Sequence, residues 1–298
     1  SGACNDLAFS HPGLAPEIDR ITHKIEKDPR NVDLLIERGQ LLRSNDDLLN
    51  ALRDFDRAVE LDSNNTEILF QRGLTLTALK RDVKAEMDLT NFLDKDEQKA
   101  PLFNKDNSKR GIAIAERAQI RARTGRANLA LTDFNSAIRL LPVSGLYHAR
   151  GLFQELLGNL PEAASGYREA LSRIPNSILL KKSLIRVEVD RKRFNQALDL
   201  IDEVLVRVSV KRSWYLLQGD VLTRMGKPEA ARAAREKALA EVNQAMSQRL
   251  TAIHRFSRAK VYVALGRIDA AKQDLQLAIQ MAPSFTESKD LLNQLEGS

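Results

Sequence analysis

The chain has 298 residues, of which 43% are hydrophobic, 29% charged and only 5% aromatic, with a formal net charge of +6 and one cysteine. A core drawn from this composition rests mainly on Ala, Leu, Ile and Val, and a single cysteine excludes an intrachain disulfide framework. No apolar run approaches the roughly 18 uncharged residues that cross a bilayer.

Residues 1–12 read as an extended segment. In its opening, SGAC, small residues precede Cys4. This is similar to the cleavage region of a bacterial lipoprotein signal, although Ser1 stands where that pattern has Leu. On this reading Cys4 is lipidated and the protein sits in a bacterial periplasm or cell envelope. On the alternative Cys4 is an ordinary thiol and the protein is cytoplasmic. Residues 13–31 follow as a capping helix, with its periodic part at 16–28 and Pro29 as its stop.

Beyond it one phrase repeats. ALRDFDRAVELD at 51–62 returns as ALTDFNSAIRLLP at 130–142 and AKQDLQLAIQMAP at 271–283. Aligned on its first residue, the phrase recurs at Ala51, Ala85, Ala130, Ala163, Ala197, Ala231 and Ala271, in steps of 34, 45, 33, 34, 34 and 40 residues. Twelve residues upstream stand Gly39, Gly73, Ala118, Gly151, Gly219 and Ala259, small residues that allow two helices to approach closely. The pattern predicts seven helix-turn-helix units across 32–283, at about 32–65, 66–99, 111–143, 144–177, 178–211, 212–245 and 252–283. The charged stretch at 94–110, which holds Pro101, is expected as an insertion, either a loop or a lengthened helix end. The unit at 178–211 fits least well, with Lys192 where a turn Gly is expected. Residues 284–298 close the chain as a second capping helix, opened by a capping box in SFTE at 284–287.

Four units place an Arg sixteen residues before an Asp: Arg38 and Asp54, Arg72 and Asp88, Arg117 and Asp133, Arg258 and Asp274. The midpoints, Asp46, Lys80, Gly125 and Gly266, are the expected turns. Two residues equidistant from the turn of an antiparallel helix hairpin lie side by side. The eight residues are therefore expected as four structural ion pairs, in which Arg meets a carboxylate in bidentate fashion. Arg150 instead faces Gly166, and Gln218 faces Ala234.

A period near 34, a Gly/Ala…Ala-x3-Phe…Ala…Pro frame and a Gly at the turn resemble tetratricopeptide repeats. The unit at 144–177 fits this frame best, through Tyr147, Gly151, Gly158, Ala163, Tyr167, Ala170 and Pro175. The resemblance implies an all-α, right-handed solenoid of antiparallel helix pairs with capping helices at both ends. It also implies a concave groove, lined by the first helix of each pair, that takes an extended or helical peptide. The places of that groove hold Ile36, Gln40, Arg43, Phe70, Leu74, Thr77, Ala115, Gln119, His148, Leu152, Glu155, Lys182, Arg186, Leu216, Asp220, Thr223, Phe256 and Lys260. Phe70, Leu152, Leu216 and Phe256 are its expected apolar anchors. The family's clamp for acidic chaperone tails is missing, because Ile36, Gln40, Gln71, Ile112 and Glu116 occupy its places. Starting at the fifth unit supplies Lys182 but then Arg186, Leu217, Ile253 and Ser257. The asparagine ladder of a sugar-transferring member is also replaced, by Glu37, Gln71, Glu116, Ala149, Ser183, Leu217 and Ser257.

His11, His23, His148 and His254 stand apart, with no second His or Cys at metal-ligand spacing. There is no HExxH, Gly-rich phosphate loop or GxSxG elbow. No catalytic residue, cofactor or metal is assigned, and the protein is not expected to be an enzyme. Residues 181–260 hold 18 basic and 9 acidic residues, a local excess that favours an acidic partner. The expected function is a non-catalytic scaffold or adaptor that holds a protein or peptide partner in the groove. One alternative is a nucleic-acid-associated basic solenoid, for which Phe194, Trp214, Tyr215 and Phe256 are few stacking aromatics. Another is an envelope assembly lipoprotein anchored through Cys4, the one route by which a membrane enters this reading.

Overall fold

A computed structural model describes residues 13–99 and 107–297, so Cys4, His11, the N-terminal segment and Pro101 lie outside the described residues. Among the described residues there are sixteen helices and no strand. They are α1 (Ala15–Lys27), α2 (Val32–Ser44), α3 (Leu48–Leu61), α4 (Thr66–Ala78), α5 (Asp82–Lys99), α6 (Asn107–Arg123), α7 (Ala127–Leu140) and α8 (Ser144–Leu156). The series continues with α9 (Leu160–Arg173), α10 (Ile178–Asp190), α11 (Phe194–Arg207), α12 (Arg212–Arg224), α13 (Pro228–Gln248), α14 (Ala252–Ala264), α15 (Ile268–Met281) and α16 (Thr286–Glu296). The chain is an all-α stack of helix hairpins.

Local chemistry sets where the helices begin. Asn31, Asn65, Ser177 and Thr251 cap α2, α4, α10 and α14, each side-chain oxygen accepting a first-turn backbone N–H at 3.0–3.4 Å. Such a cap satisfies an otherwise orphaned donor and contributes about 1 kcal/mol. The second helices start out of tight turns, and of these α3 is also capped by the Asp47 side chain, which accepts from the Asn50 N–H at 3.3 Å. Each turn holds one residue in the left-handed region, Asp46, Lys80, Gly125, Gly158, Lys192, Gly226 or Gly266, with φ between 57° and 78°. Lys192 adopts this conformation although it is not Gly. The capping box expected at 284–287 does not form. The cap of α16 is Phe285, which makes no side-chain cap bond, and its ring packs edge-on against Phe256 at 5.0 Å. Aromatic packing, rather than a serine hydroxyl, sets the entry to that helix. The charged stretch is entered by helix from both sides, α5 running to Lys99 and α6 starting at Asn107.

The chain divides into two compact units, residues 1–153 and 154–298, with α8 crossing the division. In unit 1, α1 lays Ile21 and Ile25 against Leu35, Phe55 and Ile68. Gly39 of α2 sits under Phe55, where an added Cβ would stand 2.7 Å from the ring, so α2 and α3 approach this closely only because no side chain intervenes. A second cluster joins Phe70, Leu89, Phe92, Leu93, Ile114 and Ile120. In unit 2, α10 to α12 pack Ile185, Ile201, Val204, Trp214 and Val221, and α16 covers Ala259, Ala271 and Leu275 with Leu291, Leu292 and Leu295. The seven recurrent alanines, from Ala51 to Ala271, are all 0% exposed. Each large aliphatic buried in these seams contributes roughly 1.5–3 kcal/mol, and an alanine far less, so the alanines serve close approach more than burial.

Candidate functional site

The Arg and Asp residues spaced by sixteen meet within hydrogen-bond distance. Arg38 donates Nε and Nη2 to Asp54 at 2.7 and 2.6 Å, and Arg72 does the same to Asp88 at 2.7 and 2.8 Å. Arg117 grips Asp133 at 2.9 Å through both nitrogens, and Arg258 grips Asp274 at 2.6 and 2.8 Å. All four aspartates are buried. The bond to Asp54 holds the Arg38 proton above its ordinary value against the opposing cost of burial, and Arg72 and Arg258 are held likewise by Asp88 and Asp274. Asp133 takes a second guanidinium from Arg121 at 2.9 Å, and Asp274 one from Arg255 at 2.9 Å. Both oxygens of each carboxylate are engaged by guanidinium donors and the group is buried, which suits joining helices rather than meeting a ligand.

Each Arg also spends its third nitrogen on the preceding hairpin or cap, a contact the sequence reading missed. Nη1 of Arg38, Arg72, Arg117 and Arg258 reaches Thr22, Asp56, Thr90 and Asn243 at 3.0–3.2 Å. Arg150, which lacks an Asp, keeps this link through Asn135 at 2.8 Å, and Gln218 keeps it through Asp202 at 2.8 Å. The polarity reverses at α10. There Leu184 takes the Arg position, and the buried Glu188 is met by Arg168 from α9 and by Arg191 at 3.2 Å.

In unit 1 the expected groove residues separate into two sets. Ile36, Phe70, Thr77 and Ala115 are buried, so they support the face rather than present it. Phe70 packs on Phe92 at a centroid distance of 5.1 Å and is not an exposed anchor, since the Phe92 ring draws it into the core. Leu74 is half-buried against the same cluster. The presented residues join a polar network that sequence reasoning did not assemble. Gln40 and Gln71 donate to Glu67 at 3.3 and 2.8 Å, Arg43 donates to Gln71 at 2.8 Å, and Lys109 reaches Glu67 at 2.6 Å. Burial pushes the Glu116 carboxyl above its ordinary value, against the attraction of Arg123, Lys80 and Arg43. Gln119 and Leu152 are exposed and His148 half-buried.

In unit 2 the structure brings five expected groove residues together. Lys182, Arg186, Leu216, Asp220 and Lys260 line one cleft of about 610 Å³ between α10, α12 and α14. Its floor is apolar, made by Ile185, Val189, Trp214 and Leu217. Trp214 is 5% exposed and still lines the cleft, with the Lys182 ammonium 5.5 Å from its ring centroid. Arg186 is tied to Glu155 at 2.8 and 3.1 Å, and Glu155 also accepts from the Tyr167 hydroxyl at 2.7 Å. Burial, then this bond, pushes the Tyr167 hydroxyl far above its usual range. Asp190 and Asp220 also line the cleft but pair with Arg224 at 3.7 Å and Arg235 at 3.1 Å, and neither Lys182 nor Lys260 makes an ion pair among the described residues. Thr223 lies outside the cleft lining and accepts from Arg235 at 3.0 Å. Phe256 lines a neighbouring hollow, with Lys260 over its ring at 5.6 Å. Among the described residues no group of three or more His, Cys, Asp or Glu is placed to hold a metal ion.

The tetratricopeptide repeat model matches residues 255–285. No curated protein matches the chain in sequence. Among solved structures, a tetratricopeptide repeat protein from Parabacteroides merdae is 19% identical with a TM-score of 0.52, over 89% of this chain and 98% of that one. The C-terminal part of a TPR repeat-containing protein from Cytophaga hutchinsonii is 15% identical with a TM-score of 0.61, over 86% and 98%. Yeast Tom70 is 15% identical with a TM-score of 0.55, over 95% of this chain and 58% of that one. With sixteen helices among the described residues and a recurrent hairpin frame, the chain has the fold of a tetratricopeptide-repeat protein.

Proposed function

We propose that the protein is a non-catalytic interaction scaffold and that the cleft of unit 2 holds a peptide segment of its partner. The observation that carries this reading is the pairing of apolar lining at Trp214, Leu216 and Leu217 with two ammonium groups outside any ion pair, Lys182 and Lys260. An apolar floor with a few convergent polar groups is the usual make-up of a ligand cleft. The ligand class that fits is a segment with an apolar side chain flanked by carboxylates. The apolar residue would displace water from the floor, and the carboxylates would face Lys182 and Lys260.

The test is peptide display on the purified protein, followed by affinity measurement with an enriched sequence. Enriched peptides should pair an apolar residue with Asp or Glu. The substitutions Leu216→Asp and Lys182→Glu should each weaken binding about tenfold or more, in line with the loss of one well-placed contact. Peptides that bind both variants undiminished would remove the cleft from the reading. Retention of nucleic acid with a steep salt dependence would favour the nucleic-acid alternative.

A further inference from the structure

Unit 2 carries most of its exposed aliphatic side chains along one edge. Its helices alternate in direction, so the links from one hairpin to the next, at 174–177, 208–211, 249–251 and 282–285, emerge opposite the turns at Lys192, Gly226 and Gly266. Adjacent links and helix ends are tied together there. Arg207 reaches Asn176 at 3.3 Å, and the Lys211 backbone N–H donates to the Glu241 carboxylate at 2.8 and 3.0 Å. At this edge stand Ile178, Val206, Val210, Leu250, Ile253 and Met281, with Val206 86% and Ile253 62% exposed. All six lie outside the core.

Cations are interleaved with them. Arg173, Lys211, Arg212 and Arg249 have no ion pair among the described residues. Two acidic groups near these links are engaged: Glu203 faces Lys181 at 3.6 Å, and Glu241 is bonded to the Lys211 backbone. Exposed aliphatics alternating with unpaired cations along a line of short links match one kind of surface. We propose that this edge docks unit 2 on an anionic lipid bilayer. The aliphatic side chains would enter the headgroup boundary while the guanidinium and ammonium groups meet lipid phosphates, the two contributions that together hold a peripheral protein. The docking surface is separate from the cleft of unit 2 and does not involve Cys4.

The experiment is co-sedimentation of the full chain with vesicles of phosphatidylcholine containing phosphatidylglycerol, compared with phosphatidylcholine alone. Partitioning should favour the anionic vesicles by about tenfold or more. The double substitution Val206→Ser with Ile253→Ser should lower it about tenfold, and Arg173→Glu with Arg249→Glu should abolish it. These four side chains are exposed, so unchanged helical circular dichroism is expected and is checked for each variant. A Val206→Trp variant gives a second readout: its emission should be quenched by lipids brominated in the acyl chain, whereas the lone native Trp214 is buried. Failure to sediment with anionic vesicles, sedimentation indifferent to Val206 and Ile253, or an unquenched Val206→Trp overturns the proposal. So does lipid-free self-association that the Val206 and Ile253 substitutions remove, which would reassign the edge to a second copy of the chain.

Discussion

Removing the Asp133 carboxylate leaves Arg117 and Arg121 to repel each other without the anion they share, with only Arg121 still held by another carboxylate, Glu86 at 2.9 Å. Both guanidinium groups are largely buried, at 16% and 15% side-chain exposure, so water relieves little of the repulsion. Asp133→Ala is expected to destabilise the protein by about 3 kcal/mol or more, as for other broken buried pairs, read as a lower urea midpoint. The exposed Arg20–Glu17 pair is the control, and Glu17→Ala should leave the midpoint unchanged. A second residue-scale expectation concerns Glu116. Its carboxyl is raised above the ordinary 4.5 by burial, so the folded chain holds that proton to higher pH than the unfolded chain does. Stability from this group is therefore complete below 4.5 and is lost as pH rises through the raised value. Glu116→Gln should raise the urea midpoint at about pH 7 and leave it unchanged at about pH 4. A midpoint that rises equally at both pH values would show that the effect is not ionic.

At the scale of the helix hairpin, the left-handed turn is the common part, and three of the seven turns build it without glycine. An L-residue in that region costs roughly 1 kcal/mol relative to glycine. Lys192→Gly and Lys80→Gly should each stabilise by up to about 1 kcal/mol, less the entropy glycine adds to the unfolded chain, measured as a higher melting temperature. The hairpins were legible in the sequence because the approach of two helices needs small residues at fixed offsets, and Gly39 beneath Phe55 shows that need directly. The sixteen-residue Arg–Asp spacing was legible for a related reason: the turn is a centre of near-symmetry, so equal distances from it become neighbours. The third arm of each Arg was not read, because it depends on how one hairpin stacks on the element before it. Its signal was present as a polar residue five positions after the recurrent alanine, at Asp56, Thr90, Asn135 and Asp202. Phe70 was misplaced because a first helix has both a presented and a packed face. One residue of register decides between them, and the 3.6-residue period does not fix that register without the neighbouring helix. The apolar floor of the unit 2 cleft was missed in part because Trp214 is both packed and presented.

At the scale of the whole molecule, the net charge is carried by one unit. Residues 1–153 hold 23 basic and 23 acidic side chains, whereas residues 154–298 hold 23 and 17, so the excess of +6 lies in unit 2. An excess of this kind acts over a Debye length, about 10 Å at 0.1 M salt, and so acts on an approaching partner more than on a docked one. For an acidic, apolar peptide selected on the protein, the association rate should fall about tenfold as salt rises, with little change in the dissociation rate. Leu216→Asp should act mainly in the opposite sense, by speeding dissociation, because it disrupts the floor that the docked apolar side chain covers. The lone native tryptophan, Trp214, lines the cleft, so stopped-flow tryptophan fluorescence can follow both rates. An association rate indifferent to salt would mean that the charge of unit 2 serves another surface. The edge at Arg173, Lys211, Arg212 and Arg249 would then be the first to examine.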